Sequence, residues 1–205
     1  KAFFCVAVVF LFLVAVFSGI AASEVGSVGE GWFMFHHDLA HTGASESTVP
    51  FTNQTAWIYN TGGPVGSPVV VGGLVYVGSY DDNFYALSAT SGAVVWTYAA
   101  GNNVVAGAAV ADGLVYFGSE DNNVYALDAE MGSIVWNYTT GFYVDSVPVV
   151  SDGVVYVASE DWKVYAFNAS TGALIWEYTT GDMIMLSSPV FADGMVYVGS
   201  IDNNV

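Results

Sequence analysis

Three histidines lie close together near the N-terminus, and histidine is the side chain best suited to metal binding and proton transfer near neutral pH. His37 and His41 have the spacing that places two side chains on one face of a helix, with Asp38 as a third metal ligand. The sequence lacks the glutamate that serves as general base in zinc proteases, and Gly43 indicates a loop. We interpret these histidines as structural and keep a metal site as the alternative.

Acidic and amide side chains also recur in four short segments, and oxygen ligands of this kind suit calcium. None of the segments has the D-x-D-x-D-G spacing of a calcium loop, whereas Asp and Asn are the residues that tight turns prefer. We therefore interpret the segments as turns and predict no metal or cofactor among them. The four segments are Asp81-Asp82-Asn83, Glu120-Asp121-Asn122-Asn123, Glu160-Asp161 and Asp202-Asn203-Asn204.

The charge balance excludes whole classes of partner. The 205 residues include 19 Asp and Glu but only 2 Lys and Arg, so the net charge is -17 at pH 7. Binding to nucleic acids or to anionic lipid headgroups depends on basic side chains that neutralise phosphates. We therefore exclude nucleic acids as partners. The one cysteine, Cys5, lies in the leading apolar segment, so the remainder of the chain forms no disulfide.

Residues 1–23 are predicted to be an export signal. An apolar run from Ala2 to Ile20 is followed by small residues, which is typical of a secretory signal peptide. An uncleaved N-terminal membrane anchor is the alternative, and it would be the chain's only contact with a membrane. Both interpretations predict a secreted protein or one at an extracytoplasmic cell surface. Because Lys1 rather than Met comes first, we expect part of the basic leader to be missing.

A repeat of 40 residues dominates the rest of the chain. Residues 24–61 form a lead-in segment that ends in an outer strand at Trp57, and residues 62–205 contain the repeats. One tryptophan per unit at this period indicates stacked identical modules. The alanine, glycine and tryptophan of the frame recur at Ala86, Ala126 and Ala166, at Gly92, Gly132 and Gly172, and at Trp96, Trp136 and Trp176.

Each unit is predicted to fold as four short antiparallel strands, which is one propeller blade. In the second unit the predicted strands are Ala106 to Ala111, Leu114 to Ser119, Val124 to Asp128 and Ser133 to Tyr138. Asp112-Gly113 lies between the first two strands, where a two-residue hairpin requires positive φ.

Alternation along the last strand of a unit predicts how the blades pack. Val94 and Trp96 share one face of that strand, and Val95 lies on the other, so both faces are partly apolar. We expect each blade to be enclosed between two neighbours rather than to form a free-standing sheet.

The frame A-x-[SDN]-A-x-x-G-x-x-x-W, preceded by segments such as Val115 to Ser119 and Val124 to Leu127, resembles the repeat of the pyrroloquinoline-quinone-type (PQQ-like) β-propeller family. The resemblance implies that the tryptophan and glycine of the frame dock each blade onto the next. It implies this structural role for Trp57, Gly92, Trp96, Gly132, Trp136, Gly172 and Trp176.

Members of this family mostly form rings of eight blades, so the resemblance implies that this chain is an N-terminal fragment of a longer propeller. We predict an all-β, PQQ-like open arc of about three and a half to four four-stranded antiparallel blades. The fourth blade is truncated at Val205, and the two ends of the arc are expected to expose unpaired strands and apolar faces.

Two functional classes fit such an arc, and we leave catalysis undecided while favouring a non-catalytic role. The favoured hypothesis is a secreted or cell-surface scaffold that binds a protein or a polysaccharide through the loops that differ between blades. Exposed aromatic and Met side chains suit protein contacts, although Phe142 and Met185 could equally plug the central channel. The candidate residues are Asn102, Asn103, Phe142, Tyr143, Asp145, Asp182, Met183 and Met185.

The alternative implied by the resemblance is a quinoprotein dehydrogenase that uses PQQ and calcium. A site for this polycarboxylate should offer Arg or Lys, yet the repeats contain only Lys163, so such a site would have to lie in missing blades. A third hypothesis is a scaffold for outer-membrane protein assembly. In that class a lipid is attached to a cysteine after the apolar run, a position that Cys5 does not occupy.

Overall fold

The computed structural model describes residues 53–185 and 187–205. The predicted signal segment, Cys5 and the three histidines lie outside these residues. The described residues contain fourteen β-strands, and none of them belongs to a helix of the length and hydropathy needed to cross a membrane. The all-β prediction is confirmed.

Twelve of the strands form three antiparallel four-stranded sheets, which we call blades 1 to 3, and the last two form a two-stranded blade 4. Blade 1 consists of β1 (Val69–Val71), β2 (Leu74–Gly78), β3 (Asn83–Ser88) and β4 (Val94–Ala99). Blade 2 consists of β5 (Ala109–Ala111), β6 (Leu114–Gly118), β7 (Asn123–Asp128) and β8 (Ile134–Thr139). Blade 3 consists of β9 (Val149–Ser151), β10 (Val154–Ser159), β11 (Lys163–Asn168) and β12 (Leu174–Thr179). Blade 4 consists of β13 (Val190–Ala192) and β14 (Met195–Tyr197). The predicted open arc is confirmed.

The first hairpin of each blade has the predicted turn. In blade 2, Asp112 has φ 50° and Gly113 has φ 79°; an Asp-Gly pair with positive φ recurs in blades 3 and 4, and Gly72-Gly73 takes its place in blade 1. Positive φ at both turn positions matches the twist of a tight hairpin, and Asp and Gly are among the residues that tolerate it. The turn prediction is therefore confirmed.

The innermost strands are shorter than predicted. β5 begins at Ala109 rather than at Ala106, because the preceding residues still belong to the segment that arrives from blade 1. A Cβ at Gly107 would lie 3.1 Å from the carbonyl oxygen of Ser67, so the inner backbones of blades 1 and 2 approach closely here. The innermost strands β1, β5, β9 and β13 contact one another in sequence along the arc.

The outermost strands are less enclosed than their alternating pattern suggests. Val94 and Val95 are both about half exposed, whereas Trp96 is buried. A register shift between Ala86 and Leu87 interrupts the pairing of β3 with β4, so Leu87 pairs with Val94. The expectation that both faces of this strand are covered by neighbouring blades is wrong for its first two residues.

The hydrophobic core lies between blades rather than within one sheet. One cluster of buried side chains joins blade 1 to blade 2 and includes Phe84 and Phe117, whose rings stack 4.1 Å apart. A second cluster joins blade 2 to blade 3 and includes Tyr116 and Phe167. Since each blade is covered by its neighbours, the arc presents its connecting loops in a fixed arrangement.

Candidate functional site

The frame residues meet at every complete blade boundary. The indole nitrogen of Trp96 in blade 1 donates a hydrogen bond to the carbonyl oxygen of Ala129 in blade 2 at 2.9 Å. A Cβ at Gly132 would lie 2.5 Å from the Trp96 ring, so only glycine leaves room for the indole. The same arrangement joins Trp57 to Ala89 and Gly92, and Trp136 to Ala169 and Gly172.

Trp176 has the same place in blade 3 but lies at the end of the arc. Its side chain is 39% exposed, and within the described residues its indole nitrogen has no hydrogen-bond acceptor. The ring borders an open cleft of about 450 Å³ that Tyr178, Val196 and Val205 also line. This cleft is therefore the unfilled side of a blade boundary.

A second set of contacts ties each blade to the connection that precedes it. The Asp121 carboxylate at the β6–β7 turn accepts hydrogen bonds from the Gly101 backbone at 2.8 Å and from the Tyr125 hydroxyl at 2.5 Å. Burial raises the pKa of the equivalent Asp81, but hydrogen bonds led by that of Tyr85 lower it to about 2. The equivalent pairs in the other blades are Gly62 with Asp81, Gly141 with Asp161 and Gly181 with Asp202.

These contacts show how the acidic segments fold. Asp82, Asn122 and Asn203 all have positive φ, and the aspartate beside each of them accepts backbone hydrogen bonds. The interpretation as turns is confirmed. The described part of the chain holds no group of three His, Cys, Asp or Glu side chains arranged to bind a metal ion.

The loop residues predicted to bind a partner lie on segments that run from the outermost strand of one blade to the innermost strand of the next. We call residues 100–108, 140–148 and 180–185 the connectors, and the surface they form the connector face. Each connector is held by the β-turn of the following blade, as shown by the hydrogen bonds from Glu120 to Asn103, from Glu160 to Tyr143 and from Ile201 to Met183. The repeat therefore places the three connectors at equivalent positions along one face.

In the first connector, the side-chain amides of Asn102 and Asn103 form hydrogen bonds within the fold. The Asn102 side chain accepts from the Asn103 backbone and donates to the carbonyl oxygen of Glu120. The Asn103 amide nitrogen donates to the Glu120 carboxylate at 2.7 Å. These two predicted partner-binding residues are engaged within the fold, so the first connector has few free polar groups.

The second connector carries an exposed aromatic pair. Phe142 is 43% exposed and stacks on Tyr143 with ring centroids 4.3 Å apart. Their backbone carbonyls accept from the buried Ser159 hydroxyl, and the Thr140 hydroxyl also donates to the Phe142 carbonyl. The backbone under the two rings is thus fixed, and the rings form a preorganised apolar surface.

The third connector combines an acid with methionines. The Asp182 carboxylate accepts from the backbone of Met183, and its carbonyl oxygen accepts from Thr180 and Ser200. Met185 is about half exposed. Flexible thioether side chains adapt to varied apolar partners, so this connector adds an adaptable contact beside the rigid aromatic pair.

Asp145 lies at the inner end of the second connector in unusual surroundings. Its Oδ1 atom is buried and has no hydrogen-bond partner among the described residues. Burial, followed by the negative charges of Glu120 and Glu160, raises the pKa of Asp145 to about 6. Nothing in its local sequence distinguishes this aspartate from the exposed turn aspartates, so sequence reasoning found the residue but not its environment.

The PQQ implied by the resemblance does not fit the described residues. Its carboxylates require cationic donors, and the repeats contain only Lys163. The ammonium group of Lys163 lies 2.7 Å from the Glu177 carboxylate, in an exposed pair between β11 and β12. The acids Glu120, Asp145 and Glu160 near the inner side of the arc would instead repel a polycarboxylate.

Sequence reasoning missed the acceptors at the blade boundaries. The carbonyl oxygen of Ala129 binds the indole of Trp96 and also the hydroxyl of Tyr76, at 3.0 Å. Ala169 likewise accepts from Trp136 and Tyr116. The signal was available, because the second alanine of the frame recurs with the same period as the tryptophan.

Solved structures share this fold. BamB from Moraxella catarrhalis is 24% identical with a TM-score of 0.60, and the match covers 71% of this chain and 46% of that chain. The quinohemoprotein alcohol dehydrogenase from Comamonas testosteroni is 25% identical with a TM-score of 0.65, and the match covers 75% of this chain and 28% of that chain. The computationally designed Ika4 protein is 15% identical with a TM-score of 0.67, and the match covers 75% of this chain and 96% of that chain.

The chain thus spans less than half of the length of the BamB and dehydrogenase structures. No curated protein matches it. A family model described as outer membrane protein assembly factor BamB matches residues 37–142 and 143–205, which is most of the chain. Together with the repeated frame and the blade boundaries, this match shows that the chain belongs to the PQQ-like β-propeller repeat family.

Proposed function

We propose that the chain is a non-catalytic, extracytoplasmic β-propeller scaffold that binds protein partners through its connector face. The stacked pair Phe142 and Tyr143 carries this proposal. Aromatic anchors on a rigid backbone supply most of the binding energy in many protein interfaces. The equivalent positions in blade 1 are Asn102 and Asn103, so the aromatic pair is not required by the repeat itself.

The charge of the chain supports the same proposal and narrows the partner. With 19 acidic and 2 basic residues, the protein favours a partner surface with basic residues around an apolar centre. Glu120 and Glu160 belong to the turns that hold the first and second connectors, so the connector face carries acidic side chains. A polysaccharide is the competing partner, because exposed aromatic rings also stack on sugars.

The test is a binding comparison between two variants of equal exposure. Phe142 on the connector face and Val94 on the outer strand are both 43% exposed, so Phe142→Ser and Val94→Ser each replace an equally exposed apolar side chain by the same polar one. The immobilised chain is presented to purified extracytoplasmic proteins and to a glycan array. We expect a protein ligand whose affinity falls about tenfold or more with Phe142→Ser and stays within about twofold with Val94→Ser.

Three results would contradict the proposal: binding to glycans only, equal losses with both variants, or no binding to either class of ligand. Circular dichroism and urea midpoints of both variants serve as the folding control. Each variant alters one partly exposed side chain, so we expect losses in stability of about 1 kcal/mol.

The assembly of outer membrane proteins is a second candidate, favoured by the description of the matching family model and by the similarity to BamB. For this candidate the probe is an unfolded outer membrane β-barrel protein kept soluble in urea and diluted into the assay. Saturable binding that Phe142→Ser weakens would support it. Absence of binding, while another protein ligand binds, would reject this candidate and leave the general scaffold proposal standing.

A further inference from the structure

Asp145 occupies a position that has an apolar residue in each of the other two connectors. The repeat places Val105 in the first connector and Met185 in the third connector at the equivalent point. The flanking residues Val144 and Ser146 are buried, and Asp145 between them is partly buried. An acid therefore stands where the fold elsewhere places a hydrophobic residue.

In the described part of the chain, the hydrogen bonds on either side of Asp145 do not include a donor to its buried Oδ1 atom. The Val144 backbone donates to Ser119, and the Ser146 hydroxyl exchanges hydrogen bonds with Ala158 at 2.7 and 2.9 Å. These contacts hold the connector on both sides of Asp145. Its own Oδ1 atom is buried without a partner among the described residues. An ionised carboxylate in this place therefore loses hydration at Oδ1 and gains no donor there in return.

The charged groups that act on Asp145 are also negative. The negative charges of Glu120 in the β6–β7 turn and of Glu160 in the β10–β11 turn both raise the pKa of Asp145. The Asn103 amide donates to Glu120 and so partly compensates that charge, whereas the Glu160 carboxylate has no such donor among the described residues. The cation Lys163 is paired with Glu177 and compensates none of the three acids.

We propose that Asp145 is a proton-binding site that stabilises the second connector when the surroundings become mildly acidic. Protonation turns the carboxylate into a neutral group, which removes the cost of the unpartnered Oδ1 atom and the repulsion by Glu120 and Glu160. It also removes one negative charge beside the aromatic pair. The site thus couples the acidity of the surroundings to the order of the connector, and it does so whatever partner the connector face binds.

The direction of the pH effect follows from the pKa of Asp145, which is raised to about 6 from an ordinary value of 3.8. A carboxyl whose folded pKa is raised contributes stability that is complete below the unfolded pKa and is lost as the pH rises through the folded pKa. The contribution of Asp145 is therefore lost between about pH 4 and pH 7 as the pH rises. Most native carboxylates have the opposite effect.

The first measurement is a carbon-13 NMR titration of the side-chain carboxyl of Asp145 in the wild-type chain, assigned through its own backbone. The matched control is Asp112, which lies in an exposed hairpin turn. We expect the Asp145 signal to titrate near pH 6. A titration of Asp145 below pH 5 would overturn the proposal.

The second measurement compares Asp145→Asn with Asp112→Asn, since both remove one carboxylate charge. We expect Asp145→Asn to unfold at higher urea than the wild type at about pH 7.5, and this advantage to shrink at about pH 5. Asp112→Asn controls, at each pH, for the removal of one carboxylate group from the chain. An unchanged advantage of Asp145→Asn at both pH values would overturn the proposal.

A third variant tests whether Asp145 binds its proton more tightly because of a neighbouring negative charge, which a purely structural role would not require. Glu160→Gln removes one of the negative neighbours but leaves Asp145 in place. We expect it to lower the midpoint of the Asp145 NMR titration, because less charge opposes ionisation. An unchanged midpoint would show that Glu160 does not act on Asp145 and would reject the cluster that the proposal requires.

Discussion

Trp136 and Trp176 have the same place in the repeated frame but different surroundings. Trp136, between blades 2 and 3, is 8% exposed, packs on Gly172 and donates to Ala169. Trp176, at the end of blade 3, is 39% exposed and lines an open cleft. Since the two frames match, the difference arises from the following blade rather than from the tryptophan's own strand. The contribution of this residue to stability is therefore a property of a pair of blades.

The largest expected effect is the loss of the enclosed tryptophan. Trp136→Ala should lower the free energy of unfolding by about 3–5 kcal/mol, because it removes a buried ring and leaves a cavity between two blades. Trp176→Ala should cost less than about 1.5 kcal/mol, since the ring is already partly in water. Urea denaturation followed by circular dichroism measures both. Equal losses would show that the strand itself, rather than the boundary, requires the tryptophan.

A smaller difference in the free energy of unfolding is expected for the glycine that packs against the indole. Gly172 and Gly113 have φ of 70° and 79°, so alanine is similarly strained at both, by about 1–2 kcal/mol. A Cβ at Gly172 would lie 2.6 Å from the Trp136 ring, whereas a Cβ at Gly113 would meet nothing within 4 Å. Gly172→Ala should therefore cost about 1–3 kcal/mol more than Gly113→Ala in the same denaturation assay. Equal costs would mean that the ring moves aside without loss.

The smallest effect concerns one hydroxyl. The Tyr76 hydroxyl is buried and donates to Ala129 at 3.0 Å, whereas the Tyr156 hydroxyl at the last boundary has no acceptor among the described residues. Tyr76→Phe should cost about 0.5–1.5 kcal/mol, and Tyr156→Phe close to none. Thermal unfolding of both variants tests this difference. A larger loss with Tyr156→Phe would indicate that the final boundary is closed in solution.

The features that the sequence predicted correctly are those that each repeat carries within itself. The period of the tryptophans, the strand alternation and turn pairs such as Asp112 with Gly113 are local, and the fold matches them. The exposure of Val94 was predicted wrongly, because the register shift beside Leu87 depends on how two strands pair. An alternating pattern does not reveal such a shift.

The sequence predicted which residues form the candidate site, but not their burial or their hydrogen bonds. The connectors were found because their residues differ between otherwise similar blades. The burial of Asp145 and the engagement of Asn103 with Glu120 arise from contacts with turns 15 or more residues away. Such contacts become visible only when the blades are placed side by side.

The hydrogen bonds at the blade boundaries also impose an order on synthesis. The indole of Trp96 binds a carbonyl that lies 33 residues later in the chain, and Trp136 does the same. At typical translation rates the acceptor follows its tryptophan by about 2–7 s. The newest blade at the ribosome therefore always exposes its tryptophan face until the next blade emerges. The arc must close one boundary at a time, from the N-terminal blade onward.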